Sequence, residues 1–166
     1  PFFQGCLEDL ASVREVVDLP LLRKDFIVDE YQIYQSRFYG ADCILLIASV
    51  LSDIQLKEFK EIAQELNLDV LVEVHDRPEM DRAKDLGFSL IGINNRDLKT
   101  FKVNLETTIN LSEDLQDKII VSESGIKTKE DVKKIMSSGT KAFLVGESFM
   151  RASDPGEELQ KLFFSC

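Results

Sequence analysis

The chain has 166 residues, 44% hydrophobic and 30% charged, with 8 Gly and 4 Pro. That balance excludes a disordered or collagen-like polymer, and the length suffices to bury about two-thirds of the unfolded surface in one core. Thirty acidic against 20 basic residues leave a net charge of −10, so neither nucleic acid nor a membrane surface is the expected partner, and an anionic ligand needs a local basic pocket.

No stretch approaches the ~18 consecutive apolar residues of a membrane helix. Pro1-Phe2-Phe3-Gln4-Gly5 lacks the basic start and apolar run of a secretory signal and has no initiator Met, so it reads as a cut chain. Cys6, Cys43 and Cys166 form no CxxC pair, and an odd count without a signal peptide favours free thiols in a reducing, cytoplasmic compartment. Cys43 lies in an apolar run and is expected in the core; Cys166 ends the chain, which excludes a prenylation box.

In chain order, an opening helix is followed by strand-length apolar runs at Leu19–Arg23, Cys43–Ala48, Asp69–Val74, Leu90–Asn94, Lys118–Ser122 and Ala142–Val145. They are rich in Val, Ile and Leu with little alternation, the pattern of parallel strands covered on both faces. Amphipathic segments lie between them. Leu51–Leu66 is the clearest, with Ile54, Phe59, Ile62, Ala63 and Leu66 on one stripe and Ser52 and Gln55 spaced as a capping box. Asp29–Tyr39, Arg77–Leu86, Thr128–Ser137 and Pro155–Phe163 repeat the pattern, and Gly40, Gly87 and Gly139 stand where helices end.

No linker or shift in composition marks a second domain, so residues 1–166 read as one α/β domain with a parallel sheet. Successive strands begin about 20 to 30 residues apart, the period of a (β/α)8 TIM barrel, whose eight units take roughly 250 residues. Six units are expected here. An open doubly wound sheet is the rival, disfavoured because no GxGxxG turn follows a strand.

In a parallel barrel, ligands meet the C-terminal ends of the strands. With Leu22 inward, alternation along Leu21–Phe26 points Lys24 at the barrel mouth and turns Arg23 and Asp25 away as a structural ion pair. Glu73, Asn94 and Glu123 end three further apolar runs. A single polar residue at a strand end is what any chain leaving a sheet produces; an ammonium, an amide and two carboxylates at four strand ends point to acid–base chemistry. Ser124-Gly125 and Gly146-Glu147 follow the last two strands, where barrels present backbone N–H groups and a short helix N-terminus to phosphate. His75 is the only histidine, so neither a nucleophilic triad nor a His-rich metal site is expected.

Five motifs in order, Leu22-Arg23-Lys24-Asp25-Phe26, Val72-Glu73-Val74-His75, Ile91 to Leu98, Ser122 to Ile126 and Phe143 to Ser148, resemble those of the indole-3-glycerol phosphate synthase family. The opening Pro1 to Gly5 resembles that family's loop after its second strand. The resemblance implies a (β/α)8 barrel of tryptophan biosynthesis that uses no metal or organic cofactor. Its reaction converts 1-(2-carboxyphenylamino)-1-deoxyribulose 5-phosphate to indole-3-glycerol phosphate, carbon dioxide and water. It further implies that Lys24 is the general acid, Glu73 the acid/base group of the dehydration, and that Asn94 and Glu123 hold the substrate and order the lysines. Phe26 and Leu45 resemble the pocket for the aromatic ring, Arg96 a loop residue near the reacting centre, and Ser124, Gly125, Gly146 and Glu147 the phosphate loops, Glu147 through its backbone N–H. The expected partner is a small anionic substrate, with fusion to or association with other tryptophan-pathway enzymes also in view.

The family's N-terminal helix and first two strands, with a further lysine, have no counterpart in these residues. Residues 1–166 alone are therefore expected to be inactive and to self-associate through unpaired strand edges. Two other readings stay open. A different phosphate-binding barrel, such as a phosphosugar isomerase, shares the glycine loops without needing Lys24, Glu73 and Asn94 on successive strands. An inactive ligand-binding fragment is distinguished by phosphate binding without turnover.

Overall fold

Short Val/Ile/Leu runs form the strands and the amphipathic stretches between them form helices, as the periodicity predicts. The computed structural model describes residues 5–113, 115 and 117–164; the expectations for Pro1 to Gln4 and for Cys166 lie outside the described residues. The order is α1 (Leu7–Val16), β1 (Leu22–Arg23), α2 (Tyr31–Phe38), β2 (Cys43–Ile47), α3 (Asp53–Glu65), β3 (Asp69–Val74) and α4 (Arg77–Asp85). It continues with β4 (Leu90–Asn94), α5 (Glu106–Leu111), β5 (Ile119–Glu123), α6 (Lys129–Met136), β6 (Ala142–Leu144), α7 (Glu147–Arg151) and α8 (Pro155–Phe163). Strand order in the sheet is the chain order, β1 to β6. Two compact units divide the chain between Val72 and Glu73, inside β3.

In residues 5–72, β1 and β2 pair in parallel with Leu22 opposite Cys43 and Arg23 opposite Ile44. β1 is shorter than the apolar run predicts because side chains take over its upstream backbone groups. Arg14 donates to the carbonyls of Val17 and Leu19, and Asp42 accepts from the Leu21 N–H at 2.7 Å. Arg14 and Asp42 are themselves paired at 2.9 Å, tying the end of α1 to the start of β2. Gly40 adopts φ +89°, and a Cβ there would lie 2.8 Å from Arg14 Cγ, so this helix end needs glycine twice over.

α3 starts at the expected capping box: Ser52 Oγ accepts from the Gln55 N–H at 3.3 Å, and Gln55 Oε1 accepts from the Ser52 N–H at 3.1 Å. Its buried stripe is Leu56, Phe59 and Ala63. Ile54, expected on that stripe, is 69% exposed, because two residues along a helix rotate it by about 200° from the fully buried Leu56. Cys43 is half-buried rather than core.

In residues 73–164, β4, β5 and β6 pair in parallel, with Leu90 opposite Ile119 through Asn94 opposite Glu123, and Val121 opposite Ala142 through Glu123 opposite Leu144. Thr128 caps α6 and Asp154 caps α8. Ile126, Val132 and Leu162 form a buried cluster flanked by Leu105, Phe143, Val145 and Phe163. Six-residue α5 and five-residue α7 have no counterpart among the expected helices, since neither is long enough to show a periodic stripe.

Truncation separates the two candidate core positions of α3. Leu56→Ala is expected to cost about 2–5 kcal/mol in denaturant unfolding, and Ile54→Ala within about 0.5 kcal/mol. Equal losses would contradict the burial pattern.

Candidate active site

Parallel strands with buried bodies release polar side chains only where they end. Glu73, Asn94 and Glu123, near or at the C-terminal ends of β3, β4 and β5, are 2%, 7% and 1% exposed. Register sets Asn94 beside Glu123. The Asn94 amide donates through Nδ2 to Glu73 Oε1 at 3.0 Å, while its Oδ1 accepts from the Arg96 N–H at 3.0 Å, so the amide's orientation is fixed from both ends.

His75 lies one residue beyond β3. Its Nε2 is 3.2 Å from Glu73 Oε1 and its Nδ1 3.1 Å from Glu79 Oε2. Glu79 also accepts the His75 backbone N–H at 2.8 Å. Glu79 is placed by α4, whose N-cap Asp76 accepts from the Glu79 N–H at 3.0 Å. Burial pulls the His75 pKa down, but the hydrogen bonds to Glu73 and Glu79 outweigh it and hold the imidazole at about 9, charged at neutral pH. Burial opposes ionisation of Glu79, and bonding to His75 more than offsets this, leaving its pKa below the usual value. In the sequence His75 stands out only as the single histidine; Glu79, at i+4 on a helix capped by Asp76, is the signal of its partner. Among the described residues, no cluster has the make-up to hold a metal ion.

Asn95 is a buried hub the sequence did not reveal. Its Nδ2 donates to Ser122 Oγ (3.0 Å) and to the carbonyls of Glu123 (3.0 Å) and Ser124 (3.1 Å). Its Oδ1 accepts from the Thr108 N–H (3.1 Å) and Oγ1 (2.9 Å). One side chain thus joins the ends of β4 and β5 to α5.

Beyond β5, Ser124 and Gly125 both take left-handed conformations, φ +64° and +84°. A Cβ on Gly125 would collide with Val103 Cγ1, in the short hairpin Arg96–Val103 that follows β4. Gly146 differs: a Cβ there meets nothing within 4 Å, and φ is −117°. Short α7 begins at Glu147, directly after Gly146. The Glu147 carboxylate pairs with Arg151 at 3.1 Å and Arg96 at 2.9 Å, Arg151 being the larger cause of its lowered pKa. A cavity of about 440 Å³ lined by Lys127, Glu147, Ser148, Arg151 and Glu158 adjoins this loop.

In residues 5–72, Lys24 is exposed just past the end of β1, Leu45 is buried in β2, and Phe26, expected in an apolar pocket, is 51% exposed. β1 ends at Arg23, so strand alternation does not carry on to Phe26. Arg23 and Asp25 pair at 3.0 Å as expected, and Arg23 also donates to the Gln32 carbonyl (2.8 Å) and Ser36 Oγ (3.1 Å).

The fold resembles those of two solved 3-hexulose-6-phosphate synthases. A 3-hexulose-6-phosphate synthase from Salmonella typhimurium superposes with a TM-score of 0.81 at 16% identity, covering 94% of this chain and 77% of that one. Another 3-hexulose-6-phosphate synthase gives 0.77 at 17% identity, covering 94% and 78%. This likeness establishes a (β/α)8 barrel architecture, of which six βα units are present here. The family model for indole-3-glycerol phosphate synthase matches residues 1–162. Curated relatives of that name from Albidiferax ferrireducens and Delftia acidovorans are 55% and 53% identical over 163 residues, 98% of this chain. The chain belongs to the indole-3-glycerol phosphate synthase family, and it spans 62% and 61% of the length of those two relatives.

With a single histidine, its titration is directly visible. The imidazole NMR signals should titrate near 9 rather than at the ordinary 6.5. A raised folded pKa means the pairing stabilises the fold fully below about 6.5, progressively less up to about 9, and not above. Thermal unfolding should show that decline in the native chain and a weaker one in His75→Gln. A midpoint near 6.5 would mean the carboxylates do not hold the ring charged.

Proposed function

We propose that this chain forms the reacting face of an indole-3-glycerol phosphate synthase, within one (β/α)8 barrel domain, acting on 1-(2-carboxyphenylamino)-1-deoxyribulose 5-phosphate. The observation that carries the reading is a buried carboxylate, Glu73, fixed by Asn94 at the strand ends of a chain belonging to this family.

The chemistry follows from the charges that develop. The ring carbon bearing the carboxylate attacks the substrate ketone, and negative charge grows on the carbonyl oxygen. The Lys24 ammonium stabilises that oxygen and protonates it. Loss of carbon dioxide returns the electron pair to the ring. Departure of the hydroxyl as water then requires a proton at the leaving oxygen and removal of one from the neighbouring framework, the task of Glu73. Asn94 and Glu123 hold the substrate's polar groups, Arg96 guards the mouth, and Phe26 and Leu45 provide apolar contact for the aromatic ring. Ser124, Gly125, Gly146 and the Glu147 N–H bind phosphate; Lys127 and Arg151 supply local positive charge in a chain of net charge −10. Turnover of the aromatic substrate, read by indole fluorescence, separates this function from a phosphosugar isomerase.

Three variants test the roles in the protein that carries this chain. Lys24→Met should cut kcat by about 10²-fold or more, and Glu73→Gln should impair turnover with the fold intact, as loss of a positioned proton carrier does. Wild-type kcat in either variant removes that residue from the chemistry. Gly146→Val should raise KM without loss of stability, because the protein itself leaves room for the side chain. An unchanged KM, or sulfate bound elsewhere in a soaked crystal, would place the phosphate outside this loop.

A further inference from the structure

We propose that His75 is a positioning residue for Glu73: an imidazolium anchored by Glu79 that orients the Glu73 carboxylate and stabilises its charge. The proposal rests on the assignment of Glu73 to the acid–base chemistry and adds the means by which that group is held.

The geometry is specific. Glu73 Oε1 faces two nitrogens, Asn94 Nδ2 at 3.0 Å and His75 Nε2 at 3.2 Å. The amide hydrogen bond and the charge contact of the ring converge on one oxygen and restrict the rotation of the carboxylate. With a carboxylate facing each ring nitrogen, the arrangement favours a ring that carries both protons, and Glu79 is placed for that. It reaches Nδ1 at 3.1 Å and the His75 backbone N–H at 2.8 Å, so ring and main chain are gripped by one carboxylate. Charged groups around the ring include Glu73 on β3 and Glu79 on α4, with Arg82 on α4 acting on Glu79; Asn94 on β4 is neutral. A cation between two carboxylates favours negative charge on each, which suits a Glu that is nearly fully buried and has to exchange a proton.

Among the described residues, no group of side chains has the make-up to hold a metal ion, so the pairing is read as one of charge and position. A purely structural role for the Glu79–His75 pair is the competing explanation, and it predicts effects on stability alone.

Three variants decide. His75→Gln keeps a neutral donor near Nε2 and removes the charge. Glu79→Gln leaves His75 in place and weakens its hold on the second proton. Glu73→Gln is the reference. The pH profile of kcat should move to higher pH on the limb that reports Glu73 in both His75→Gln and Glu79→Gln, more in the former, with kcat at neutral pH reduced about tenfold in His75→Gln and KM little changed. Wild-type enzyme should lose its advantage over His75→Gln above about pH 9, where the ring gives up its charge. Independently of activity, Glu73→Gln should lower the NMR midpoint of His75. Loss of stability with an unmoved kcat profile would overturn the proposal while leaving Glu73 in the chemistry. Unchanged kcat in Glu73→Gln would overturn the assignment of Glu73 itself and the proposal with it. Should His75→Gln fail to fold, Glu79→Gln and the NMR midpoint decide alone.

Discussion

Unbroken parallel pairing of β4 with β5, from Leu90 opposite Ile119 to Asn94 opposite Glu123, is the constraint on which the site depends. Slipping that register by one residue would send Asn94 and Glu123 to opposite faces and bring their apolar neighbours to the ligand end. The register is held from the outside by apolar burial and from the end by Asn95, the residue after β4, whose amide binds the end of β5 and α5. Leaving such a buried amide half-satisfied costs more than its bonds contribute when complete, so the network favours one arrangement over all near alternatives.

Electrostatics divide into a dry and a wet part. Glu73, Asn94, His75 and Glu79 lie behind the strand ends, with little access to water, so each contact there is weakly screened and the ring stays charged. Glu147, Arg96 and Arg151 lie at the rim, exposed to solvent, where ion pairs contribute little to stability and exchange partners readily. The dry set is suited to holding a carboxylate in place, and the wet set to yielding to an arriving anion.

Strain is also local. Ser124 and Gly125 are consecutive left-handed residues immediately after β5, and Gly125 lies against Val103 with no space for a side chain. Such a turn persists because the Asn95 hub holds the carbonyls of Glu123 and Ser124 beside it. Gly146, by contrast, has no such demand from its own chain.

Much of this was legible in the residues. Apolar runs bounded by turn residues placed β3, β4 and α8 to the residue, and Ser52/Gln55 and Thr128 marked helix starts, because capping and β-branched packing are local effects. Strand-end polarity picked out Glu73, Asn94 and Glu123, since the rule that ligands meet the C-terminal ends needs only strand direction. The length of β1, the exposure of Ile54, the half-burial of Cys43 and the two short helices were not legible. They depend on which neighbour claims a backbone group or covers a face, as Arg14 and Asp42 do at β1. The same holds for His75 and Asn95, ordinary residues in the sequence. Their roles exist only because tertiary folding sets a carboxylate on either side of the one and brings the end of β5 and α5 to the other, where burial makes polar contacts count.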